Sequence, residues 1–119
     1  MLLWLNLRKG IMVNIEHYTY RITWSAEDAE FVGLCAEFPS LSWLAGDRIE
    51  ALTGITTLVA DILQDMQANG ITPPEPLAEK HYSGKLVLRL PPEQHRRLAI
   101  SASEEGVSLN RYLCARLAV

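Results

Sequence analysis

Gly84-Lys85-Leu86-Val87-Leu88-Arg89-Leu90-Pro91-Pro92 alternates two kinds of side chain and then stops at a pair of prolines. A period of two is the pattern of a strand: Leu86, Leu88 and Leu90 fall on one face, and Lys85, Val87 and Arg89 on the other. Pro92 suits the first turn of a helix, where a missing N–H costs nothing, so a helix is expected from Pro92 to just before Gly106. Leu98, Ala99 and Ala102 give it a modest apolar stripe. Ser108 is a good N-cap for a second helix carrying Leu109, Tyr112, Leu113 and Leu117 at helical spacing. Strand, helix and helix in about 36 residues cannot close a core around one copy, and a lone strand leaves both edges open. The economical completion is a homodimer in which two strands pair antiparallel and four helices interlock. Residues 83–119 are therefore expected to form a dimerising domain.

Upstream, Ile71-Thr72-Pro73-Pro74-Glu75-Pro76 holds three prolines in six residues. Proline lacks the amide donor and biases the preceding residue toward extended backbone, so neither helix nor paired strand passes through easily. Residues 71–82 read as a linker. Before it, Tyr18-Thr19-Tyr20-Arg21-Ile22-Thr23-Trp24 alternates like a half-buried strand, Phe31 to Ala36 reads as a second strand, and Leu41 to Leu44 as a short third. Gly46 precedes a helix whose start is marked by Asp47, with Glu50 three residues on as a capping box. The stripe Ile49, Leu52, Ile55, Val59, Ile62, Met66 is expected to cover the sheet, and Asn69-Gly70 to end the helix. The expected class is α+β: a small three-stranded sheet with a helix over residues 12–70, then the strand–helix–helix domain.

Composition narrows the function. The 119 residues are 49% hydrophobic and 21% charged, the balance of a globular chain. Ala51 to Ala60 is the longest uncharged run, far short of the ~20 apolar residues of a membrane span, so no membrane partner is expected. Met1-Leu2-Leu3-Trp4-Leu5-Asn6-Leu7 is apolar, but its charges, Arg8 and Lys9, follow rather than precede it, the wrong order for a signal peptide. Met12 offers an alternative start. Cys35 and Cys114 lie far apart with no CxxC, which suits a reducing cytoplasm. Residues 1–76 carry four basic and ten acidic side chains, a net of −6; residues 77–119 carry seven basic and four acidic, a net of +3. An acidic front and a basic tail suggest two surfaces with partners of opposite sign.

The catalytic inventory is nearly empty. Glu27, Asp28 and Glu30 cluster in one turn, but a solvated turn is the simpler reading, because no second carboxylate group or histidine completes a site. His17, His81 and His95 share no ligand spacing, no serine sits in a GxSxG elbow, and no glycine-rich phosphate loop is present. Cys35, inside an apolar strand, reads as core. No enzyme activity, metal or cofactor is expected.

The run Lys85 to Pro91, a helix, then Gly106-Val107-Ser108-Leu109-Asn110 resembles a ribbon-helix-helix DNA-binding domain of the Arc repressor and MetJ kind. From about residue 18 onward the chain resembles the HicB family of antitoxins. In the front half the resemblance rests on Glu27 to Pro39 and on Gly46 followed by Glu50-Ala51-Leu52. It implies that residues 12–70 are a partial RNase H-like fold without catalysis that binds a HicA-like ribonuclease toxin, with Glu27, Asp28 and Glu30 as candidate rim contacts. It also implies that residues 83–119 bind a palindromic operator in the major groove as a dimer, with a tetramer left open, and repress their own operon. Lys85, Val87 and Arg89 would then face the bases. Val87, with no hydrogen-bonding group, can only pack on a thymine methyl. Ser108 and the amides of Leu109 and Asn110 would hold a DNA phosphate at a helix N-terminus. The alternative is a transcriptional regulator of the same tail whose front domain senses a ligand or oligomerises, with no toxin.

Overall fold

The computed structural model describes residues 4–6 and 12–118. The class is α+β, and the chain divides into two units, Met1–His81 and Tyr82–Val119. The first unit opens with a short antiparallel hairpin, β1 (Trp4–Asn6) and β2 (Met12–Asn14), followed by a 3₁₀ turn at Ile15–His17. A three-stranded antiparallel sheet follows: β3 (Tyr20–Ser25), β4 (Glu30–Cys35) and β5 (Ser42–Ala45), with β4 in the centre. The turn between β3 and β4 is held by Ser25, whose hydroxyl donates to the Asp28 carboxylate at 2.8 Å, and by Ala29 at a left-handed φ of 52°.

One helix, α1 (Arg48–Ala68), covers the sheet. Asp47 caps it by accepting from the Glu50 amide at 2.8 Å, as the spacing of those two residues predicts. It ends at Asn69 and Gly70, the latter at φ 69°. The register pairs Tyr20 with Cys35, Ile22 with Gly33, and Gly33 with Trp43, and alternation puts these residues on the helix side. Thr23, Ser42 and Leu44, on the other face, are exposed.

The core joins Val13, Ile15, Tyr18 and Cys35 to Ile55, Val59 and Leu63 of α1. Each fully buried aliphatic side chain contributes about 1.5–3 kcal/mol. The helix face differs from the expected stripe at Leu63, which is fully buried where the stripe has the half-buried Ile62, and at its first turns. Ile49 is 78% exposed and Leu52 44%, while Ala51 is fully buried. The reason is a close approach: a methyl group at Gly33 would sit 2.6 Å from the Ala51 carbonyl oxygen. Where backbone lies that near to backbone, alanine fits and leucine does not. A second approach occurs at Gly54, where a Cβ would land inside the Trp43 indole.

The proline-rich stretch expected to be a linker is laid against this first unit. Pro73 and Pro76 are buried, and the Tyr18 hydroxyl donates to the Pro74 carbonyl at 2.8 Å. Glu37 reaches across to the same strap. Its Oε2 accepts from the Leu77 amide at 2.9 Å and from the Thr19 hydroxyl at 3.1 Å. Its Oε1 accepts from the Thr19 amide at 2.8 Å and from the Cys35 thiol at 3.5 Å. Farther on, His17 Nδ1 hydrogen-bonds the Glu79 carboxylate.

The second unit holds two helices, α2 (Pro92–Glu104) and α3 (Leu109–Leu117), joined through Gly106 at φ 70°. Both begin where the sequence places them, at Pro92 and after Ser108. Residues 85–90 form no strand ladder in the single chain, since a ladder needs a second strand and none lies beside them among the described residues.

Candidate functional site

The second unit is short of core. Ala102 is its one fully buried side chain among the described residues. Leu86 is 80% exposed and Leu88 55%. These two leucines, with Leu109, Leu113 and Leu117 of α3, line an open apolar hollow of about 630 Å³. Leu86 and Leu88 line the hollow, whereas Val87 and Arg89 do not. Val87 is 84% exposed. Lys85, expected on the other face with Val87 and Arg89, lines the hollow as well, as does Cys114.

The N-terminus of α3 is built as its sequence requires. The Ser108 hydroxyl accepts from the Arg111 amide at 3.0 Å, so its oxygen serves as the cap. The Leu109 and Asn110 amides belong to the first turn, which no intrahelical carbonyl can reach, and they carry the positive end of the helix dipole. Nearby cations differ in what they already hold. Arg116 pairs with Glu105 at 3.7 Å and lies over the Tyr112 ring at 4.8 Å, and Arg96 pairs with Glu93 at 4.0 Å. Lys85, Arg89, Arg97 and Arg111 make no ion pair among the described residues and are exposed.

A model of the HicB family matches residues 68–117. The match runs from the last residue of α1 through the strap and the whole of α2 and α3, 50 of the 119 residues, and is a likeness to the HicB family over that stretch. No curated protein and no solved structure matches the chain significantly.

In the first unit, Glu27, Asp28 and Glu30 occupy the β3–β4 turn and the start of β4. Asp28 is engaged with Ser25, by side chain and by its own amide at 3.3 Å, while Glu27 is exposed and Glu30 half-buried. The three are close in sequence, but Asp28 has a structural task in the turn. Elsewhere the titratable groups serve the strap. Burial pushes the Cys35 thiol up to about 11, and it raises the Tyr18 and Tyr20 hydroxyls as well. Burial alone would also raise the Glu37 carboxyl. The Leu77 and Thr19 amides, Glu37's own amide and the Cys35 thiol outweigh that and hold it below the usual carboxylate value. Sequence reasoning missed Glu37 as a latch, because Thr19 and Leu77, which it joins, lie eighteen and forty residues away along the chain. Among the described residues, no three His, Cys, Asp or Glu side chains gather as a metal site, and no helix is long and apolar enough to cross a membrane.

Proposed function

We propose that the chain is the antitoxin of a toxin–antitoxin pair, with the first unit neutralising a small ribonuclease toxin and the second repressing the operon. The HicB match over residues 68–117 carries this reading. It is supported by the open apolar hollow, since about 37 residues with one buried side chain need a cover to hold a fold. A second copy supplies it in the proposal: two 85–90 segments pair antiparallel, Leu86 and Leu88 turn inward, and the helices interlock as a ribbon-helix-helix dimer. The ribbon then enters the major groove of a palindromic operator with Lys85, Val87 and Arg89 toward the bases. The α3 N-termini grip phosphates on either side through Ser108, Leu109 and Asn110.

The proposed first unit, a partial RNase H-like fold, acts by covering and not by catalysis. A protein that cleaves RNA must hold a polyanion, so its working face is basic, and the −6 of residues 1–76 suits it. Glu27, Asp28 and Glu30 fit as rim charges that speed association. Both partners are expected in the cytoplasm.

The test is co-expression with the product of the neighbouring reading frame. The expected result is a stable complex, rescue of growth, and a shift of the operon's own promoter fragment by the purified chain. Promoter binding without any complex or rescue would overturn the antitoxin reading and leave a transcriptional regulator.

A further inference from the structure

The first unit carries a feature that its fold does not use. Trp43 projects from β5 toward α1 and lies against the helix at Gly54, where any larger residue would collide with the indole. Glycine in mid-helix costs roughly 1 kcal/mol relative to alanine, yet the indole it seats stays 45% exposed. A core tryptophan would be covered. This one rests against the helix at Gly54 and stays half-open, the preorganised aromatic platform typical of binding hot spots.

The open face belongs to a groove of about 420 Å³ between β5 and α1. Its floor is Trp43, Gly54 and Leu58, with Ile49, 78% exposed, at one end. Glu50 and Asp61 stand at its rim, eleven residues apart on the helix, which makes the groove about 16 Å long. The two charged side chains that line it, Glu50 and Asp61, are both acidic.

We infer that this Trp43–α1 groove is the surface on which the toxin docks, by inserting an apolar side chain over the indole while flanking lysines or arginines meet Glu50 and Asp61. The inference rests on the antitoxin reading and places its main contact away from the β3–β4 turn. The occupant is a basic protein because the charged side chains lining the groove, Glu50 and Asp61, are both acidic, and it presents an apolar anchor because Trp43, Ile49 and Leu58 make much of the lining apolar.

The experiment measures binding of the full-length chain to the purified product of the neighbouring reading frame by titration calorimetry. Ile49→Arg and Thr53→Arg each put bulk and positive charge into the groove at exposed positions. Arginine is at least as good a helix former as isoleucine or threonine, so the fold is kept. Equal unfolding midpoints confirm it, and Thr57→Arg, also exposed and lining the groove, replaces any variant that fails. Thr23→Arg, on the opposite face of the sheet, is the comparison. The expected result is a loss of about 30-fold or more for the groove variants, and little change for Thr23→Arg. Groove variants that bind like the parent overturn the inference and leave the antitoxin reading intact. If they instead change only the sedimentation of the chain alone, the groove joins copies of this chain and the inference fails. A parent that does not bind overturns the antitoxin reading and this inference with it.

Discussion

Replacing Glu37 with glutamine tests the strap at a single atom. Both carboxylate oxygens are double acceptors: Oε1 takes the Thr19 amide and the Cys35 thiol, and Oε2 takes the Thr19 hydroxyl and the Leu77 amide. Glutamine keeps one oxygen and turns the other into a donor. If the NH₂ faced the Thr19 amide, two N–H groups would oppose each other with nothing able to rotate. If it faces the other side, the Thr19 hydroxyl can turn and accept, and only the Leu77 amide loses its acceptor. The second arrangement wins, so the damage falls on the strap. One hydrogen bond to a charged acceptor contributes roughly 1.5–3 kcal/mol. Glu37 is only partly buried, and water can reach the site, so the expected loss is about 1–2 kcal/mol. For a unit of this size that lowers the unfolding midpoint by roughly 4–16 °C.

The same variant should change the pH dependence. The Glu37 carboxyl lies below its ordinary value when folded, so its contribution is present above the unfolded carboxylate pKa and is lost as pH falls through the folded value. Parent and Glu37→Gln should therefore differ at neutral pH and converge in acid. Calorimetric melts across pH, with hydrogen exchange at Leu77, make the measurement. A midpoint within a degree of the parent at pH 7, with unchanged protection at Leu77, would refute the latch.

Gly33→Ala places a methyl 2.6 Å from the Ala51 carbonyl, forcing α1 off the sheet; a loss of about 1–3 kcal/mol in urea unfolding is expected, and an unchanged midpoint would contradict the packing described. With its thiol raised to about 11 by burial, Cys35 should resist a thiol reagent at pH 8 until the chain unfolds. Cys114, exposed in one chain and lining the hollow, should react at low protein concentration and become protected as copies pair; equal rates for both thiols, or no dependence on concentration, would contradict this. Arg89→Ala should cost about 1–3 kcal/mol on the operon's own promoter and less on scrambled DNA in anisotropy titrations. Equal losses on both would make Arg89 a phosphate contact.

Much of this fold is legible because local chemistry announces it. The three strands of the sheet, the Asp47 cap, the Pro92 start and the Ser108 cap each depend on residues within a few positions, and each lies where the sequence places it. The α1 face was only half legible. Apolar periodicity points to Ile49 and Leu52, but the inward face there is decided by the close approach of the helix to Gly33, fifteen or more residues away, at Ala51 and Ile55. The β1–β2 hairpin carries no turn signal that the reading used. For the candidate site, alternation separates Leu86 and Leu88 from Val87 and Arg89, whereas the Trp43 groove could not be seen. Nothing in a sequence marks an indole as half-covered until the helix glycine beneath it is placed.

The strap also shows how a stretch without helix or ladder can be buried at all. Every ordinary residue brings an amide that must find an acceptor when it leaves water. Pro73, Pro74 and Pro76 bring none, so Pro73 and Pro76 can sink against the first unit without burying an amide donor of their own. Fixed φ angles also narrow what the segment explores when unfolded, so less conformational entropy is lost on docking. The composition that normally marks a free spacer is, in this chain, the composition of an inexpensive clasp. A fragment cut at residue 70 would lose it and with it the acceptor of the Tyr18 hydroxyl, whereas one ending at His81 keeps the unit whole.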